Sequence, residues 1–159
     1  MNFIDTKNEL LTLLESVSGI GAVYASMKQV TDLKTLQDVN VTNGKYNVCY
    51  LQRLSVLEDD EGIGSRDETD TSIIKQVTET WNITLFYAYK DSVDEPSEFE
   101  FQTLIDSIRE KFRWVNDLTY AYKSYSVNFI ATNVYDQQNN VLCHRADGKL
   151  IIKYRLFGN

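Results

Sequence analysis

The sequence predicts an α+β domain: a mostly antiparallel β-sheet packed by an N-terminal helix and a central helix, with a long acidic hairpin loop. Three observations predict it. Residues 46–56, 73–89 and 124–135 alternate between two side-chain sets with a period of two, as strands do. Phe101, Leu104, Ile105, Ile108 and Phe112 recur at the spacing of one helical stripe. The strands come in hairpins rather than as βαβ repeats, which favours antiparallel pairing.

Each element has a local reason. Thr6 and Glu9 have capping-box spacing, and Leu10, Leu11, Leu13, Leu14 and Val17 follow as an apolar stripe. Gly19 and Gly21 end that first helix. Residues 22–27 read as a short strand, and 32–38 fit a helical turn through Leu33 and Leu36. Asn43-Gly44 marks a turn before the strand that begins at Tyr46. Trp81, Ile83, Leu85, Tyr87 and Tyr89 share one face of the next strand. Pro96 then precedes a second capping box, Ser97 with Glu100, and the central helix. Its Glu98 and Glu100 sit at the positive end of the helix dipole, and Arg109, Lys111 and Arg113 at the negative end. After the strand over 124–135, residues 136–140 read as a polar turn. Asp147-Gly148 reads as a two-residue hairpin turn between strands over 141–146 and 149–157.

A chain of 159 residues suits a single domain, 1–159, with an excursion at 58–72. Its 23 acids against 16 bases give a net charge of −7. Six of those seven charges arise within 58–70, where Glu58, Asp59, Asp60, Glu61, Asp67, Glu68 and Asp70 face a single base, Arg66. That segment has no aromatic residue and one aliphatic, Ile63, so it buries little and reads as the charged tip of a hairpin. The remainder is nearly neutral, and the part after Phe101 is mildly basic. This balance disfavours a nucleic-acid-binding domain, which needs a basic face. The start lacks the basic and apolar regions of a signal peptide, and no apolar run reaches the ~18 residues of a membrane span. A soluble intracellular protein is the expectation.

The residues that carry chemistry are sparse. His144 is the only histidine, and its neighbour Cys143 points to the opposite face of a strand, so the two make no nucleophile–base pair. Cys49 and Cys143 are too few for a disulfide framework or a zinc site. The acids of 58–70 are oxygen ligands of the kind that hold Ca²⁺ or Mg²⁺, but they lack the EF-hand pattern, and a run of like charges is usually solvated. Gly19-Ile20-Gly21 follows a helix instead of opening one, the wrong order for a phosphate cradle. Tyr120, Tyr122, Lys123 and Tyr125 mix aromatic and basic residues as single-strand binders do, yet alternating tyrosines also suit a half-buried strand or a subunit interface. No enzyme, cofactor or metal site is expected.

The order of features carries a family resemblance. A capped helix and a strand lead to the acidic run, and Glu79-Thr80-Trp81 opens the strand that ends at Tyr89. A polar turn, the helix over 99–112, and Ala146-Asp147-Gly148-Lys149-Leu150-Ile151-Ile152-Lys153-Tyr154 complete the string. It resembles the tail-terminator (tail-completion) proteins of tailed bacteriophages, over most of the chain and most clearly over 58–112 and the last strand. The resemblance implies a non-catalytic virion protein, assembled in the host cytoplasm, whose copies close into a ring, commonly a hexamer. The ring caps the last tail-tube ring, ends tube growth and meets the head–tail connector; DNA only passes through its channel. A head–tail connector or neck protein is one alternative, and an intracellular binding module another. In this reading the seven acids of 58–70 form the interface or channel surface. Lys123, Arg145, Lys149, Lys153 and Arg155 are the candidate basic complement.

Overall fold

A computed structural model describes residues 3–26, 41–42, 45–63, 73–88, 97–113, 126–136 and 141–157. Helix α1 spans Phe3–Glu15 and helix α2 spans Ser97–Arg113. The strands are β1 (Ala22–Tyr24), β2 (Val41–Thr42), β3 (Lys45–Ile63), β4 (Ile73–Ala88), β5 (Ser126–Asp136) and β6 (Val141–Phe157). They form one sheet in the order β1-β3-β4-β6-β5, with β2 paired to β3 beside β1. All pairs are antiparallel except β1 with β3, which is parallel. The α+β class is therefore what the alternation and the hairpin order predict.

Both helices contribute to the core on one face of the sheet. Leu10, Leu14 and Val17 come from α1 and its end, and Phe101, Leu104, Ile105, Ile108 and Phe112 from α2. They meet Cys49 and Leu51 of β3, Val77, Trp81, Ile83, Leu85 and Tyr87 of β4, and Ala146, Leu150, Ile152 and Tyr154 of β6. Every residue of the α2 stripe is buried, and the alternation in β4 separates the faces as read, with Tyr89 outside the described residues.

Four local readings change. Thr6 is not a cap: α1 begins at Phe3 and Thr6 is buried inside it. A tertiary anchor supplies the extra turn. The Phe3 ring stacks on Trp81 with centroids 5.8 Å apart, and the Arg53 guanidinium lies 4.2 Å from the Phe3 centroid. Asp147-Gly148 is not a turn either, because β6 runs through it without a break. Gly148 lies opposite Phe129, whose ring occupies the space a Cβ would fill. Asp147 forms an ion pair with Arg145 (2.9 Å) and accepts a hydrogen bond from the Thr84 hydroxyl (3.1 Å). The glycine gives room to an aromatic on the next strand, and the aspartate is held on the sheet. The polar turn read at 136–140 loses its first residue to β5. Finally, the first acids of the excursion are not loop. Strand β3 carries Glu58, Asp59 and Asp60 in register with β4, passes Glu61 at a register shift, and pairs on as far as Ile63 opposite Ile73. The reading of 32–38, the Asn43-Gly44 turn and Pro96 lie outside the described residues.

Candidate functional site

Three groups of polar residues are candidates, and they differ in access. The first is buried on the helix-facing side of the sheet. The Glu79 carboxylate, 2% exposed, stands on the helix-facing side of β4 between Val77 and Trp81. It accepts from Trp81 Nε1 at 2.8 Å and from the Tyr154 hydroxyl at 3.1 Å, and Arg53 Nη1 lies 3.5 Å away. Burial, and then the charge of Glu79, push the Tyr154 hydroxyl up to about 12. Phe3 contacts both Trp81 and Arg53 and joins the start of α1 to this node. In the sequence Glu79 stands out only as part of the Glu79-Thr80-Trp81 string. The available signal was an acid at i−2 from a tryptophan on an otherwise apolar strand face.

The second group ties α2 to β6. Ser97 Oγ and His144 Nε2 share a 2.8 Å hydrogen bond, and the imidazole stacks on Phe101 at 5.1 Å. Both residues are buried. One strand over, the Tyr87 hydroxyl donates to Glu100. Strand β4 separates His144 from β3, so His144 does not meet Cys49. The Cys49 thiol is fully buried, which pushes it up to about 12 and leaves no thiolate near neutral pH. The histidine is hydrogen-bonded inside the core, and the thiol is buried and neutral there.

The third group is exposed and lies toward the sheet edges. Glu58 and Asp59 are exposed on β3; Asp60 and Glu61 follow them on the same strand. Asp67, Glu68 and Asp70 lie outside the described residues. Leu54, at a register shift in β3, and Leu57 are also exposed. Strands β1 and β2 occupy the outer edge of β3 only over its first residues, up to Tyr50. Among the described residues nothing pairs with that edge over 51–63, nor with the outer edge of β5.

The basic candidates are divided. Lys149 and Lys153 are exposed on β6, on the face away from the helices. Arg145 shares that face but is engaged by Asp147, and its guanidinium lies 5.6 Å from the Phe86 centroid. Arg155 stands opposite Gln76 in the β4–β6 register, and Lys123 lies outside the described residues with the other residues of 120–125. Among the described candidates the fold thus sets Glu58, Asp59, Asp60 and Glu61 on β3 and Arg145, Lys149, Lys153 and Arg155 on β6, with β4 between them. Among the described residues no three His, Cys, Asp or Glu side chains are grouped to hold a metal ion, and no helix is long and apolar enough to cross a membrane. No family model matches the chain, and no match is found among curated proteins.

Proposed function

We propose that the chain is a structural subunit that assembles head to tail into a ring and caps the end of a phage tail tube, ending tube growth and forming the surface for head joining. One observation carries the reading beyond the order of sequence features. The β3–β4 pairing continues beyond Val77, the last core residue of β4 among the described residues, to Ile63 and Ile73, with Glu58, Asp59 and Lys75 exposed. A sheet end that carries four acids in a row on β3, with Lys75 across from Asp60, suits an end-on contact or a channel lining better than a pocket. In a ring the acids would be repeated around the axis. Facing the channel, they would repel passing DNA and keep it from adhering; facing the tube, they would meet a basic patch on it.

The other polar groups support a non-catalytic role. Ser97, His144, Glu79 and Tyr154 are all buried, and each has a hydrogen-bond partner inside the protein. Electron microscopy and native mass measurement of the protein, alone and mixed with tail tubes, test the reading. Closed rings seated on tube ends are expected; a strict monomer that never engages tubes refutes it.

A further inference from the structure

We infer that copies of this chain join by strand addition: the outer edge of β3 over 51–63 in one copy pairs antiparallel with the outer edge of β5 in the next. This deepens the ring reading and rests only on its head-to-tail contact, without reference to tubes.

Both edges display unpaired backbone donors and acceptors among the described residues, and such edges are templates for another strand. They also carry large apolar side chains in the open: Leu57 is 61% exposed on β3, and Ile130 is 70% exposed on β5. Strand direction favours their union. Because β3, β4, β6 and β5 alternate in direction, β5 runs opposite to β3. Copies placed side by side with their sheets continuous therefore meet as an antiparallel pair.

The faces then restrict the register. Ser55, Leu57 and Asp59 stand opposite Thr80, Thr78 and Gln76, on the face of β4 away from the helices. Asn128 and Ile130 stand on that same face of β5, since their neighbours Val127 and Phe129 pack against the core. A continuous sheet must keep these sets together, because a one-residue slip would exchange the faces. Placing Leu57 opposite Ile130 satisfies this. It also sets Asp59 opposite Asn128, directly beside the exposed Lys149 of the adjacent β6 strand, and Val56 opposite Ala131. An apolar pair and an acid–base neighbour form together in one register. The open part of β3 lies nearer the ribbon tip than β5 does, so each junction is staggered, and a repeated stagger tilts strands as in a closed barrel. The contact is between two different patches, so its repetition closes a ring where the rotation allows.

A cysteine cross-link tests the pairing. Leu57→Cys and Ile130→Cys are prepared as separate proteins and as a double variant, each with Cys143→Ser; Cys49 is buried. Within one copy the two positions lie three strand spacings apart across the sheet and, with Leu57 level with Lys153 and Ile130 with Asp147, about 20 Å apart along it, roughly 25 Å in all and too far for a disulfide. Mixing the two single variants under mild oxidation is expected to give a disulfide-linked dimer, and the double variant a ladder of linked oligomers. Charge reversal by Asp59→Lys is expected to reduce linkage severalfold, and adding Lys149→Asp to restore most of it. No linkage in the mixture overturns the proposal, as does a Leu57→Cys variant that links to itself as efficiently as to Ile130→Cys. Circular dichroism confirms that each variant is folded. The linkage is read without tubes, so intact linkage with failed tube capping would count against the tail reading alone.

Discussion

Replacing Glu79 with alanine is expected to be among the most destabilising single changes in the core, although it removes a charge from an apolar face. The carboxylate is 2% exposed and accepts from Trp81 Nε1 at 2.8 Å and from the Tyr154 hydroxyl at 3.1 Å. Each buried donor left without an acceptor costs about 1–3 kcal/mol. Arg53 is about a third exposed and can turn to water, so its share is small. The loss should be about 3–5 kcal/mol, the range for removing one partner of a buried ionic node. Glu79→Gln separates hydrogen bonding from charge. The amide keeps one acceptor for Trp81, and the Tyr154 hydroxyl can rotate to accept from its NH₂ group, so about 1–2 kcal/mol is expected. Urea unfolding followed by tryptophan fluorescence and circular dichroism gives both values. In a double-mutant cycle, Glu79→Ala and Tyr154→Phe should couple by about 1 kcal/mol or more. If alanine costs no more than glutamine and the cycle is additive, the node does not anchor the core.

Other measurements probe separate parts of the fold. The Tyr154 hydroxyl is held at about 12 against an ordinary value of 10. Its neutral form is thus favoured by folding. That contribution is complete below pH 10 and is lost as pH rises from 10 to 12, so Tyr154→Phe should flatten the alkaline decline of stability in that window. Gly148→Ala should cost about 1–3 kcal/mol because its Cβ meets the Phe129 ring. Adding Phe129→Ala should recover part of that loss, whereas a hairpin turn at Asp147-Gly148 would predict no such coupling. Ser97→Ala should lower stability by about 1–2 kcal/mol, since it leaves the buried His144 imidazole without its hydroxyl partner.

Periodicity located the α2 stripe and the faces of β4 because burial follows directly from apolar spacing; Phe101, Ile108, Trp81 and Leu85 all lie in the core. It failed where a distant residue decides the local conformation. Nothing near Gly148 in the chain announces that a ring from β5 will lie over it, so an Asp-Gly pair favoured in turns becomes continuous strand. Likewise Thr6 has the spacing of a cap, but Phe3 stacking on Trp81 carries the helix past it. The acidic run shows the same limit. Its charge implies exposure, which Glu58 and Asp59 have, while the pairing of β3 with β4 keeps them in strand rather than loop. The Glu79 node was the least legible, since its three donors come from β3, β4 and β6.

The placement of the acids separates their function from their stability. Past Val77, β4 is held on one side by β3 and on the other by β6 as far as Ile74, so backbone pairing supports this ribbon on both flanks. Glu58 and Asp59 are exposed and no core contact depends on them. Glu58 and Asp59 point to opposite faces, and Asp60 stands opposite Lys75, so removing charge trades a modest repulsion within the acidic run against a modest cross-strand attraction. The triple change Asp59→Asn, Asp60→Asn, Glu61→Gln is therefore expected to leave unfolding free energy unchanged within about 0.5 kcal/mol. Tail joining or DNA passage should nonetheless be impaired. A loss of more than about 1 kcal/mol, beyond what surface substitutions normally cost, would mean that the acids hold the ribbon in place. Unchanged stability with unchanged infectivity would remove them from the assembly surface, leaving the edges of β3 and β5 to carry the contact without help from charge.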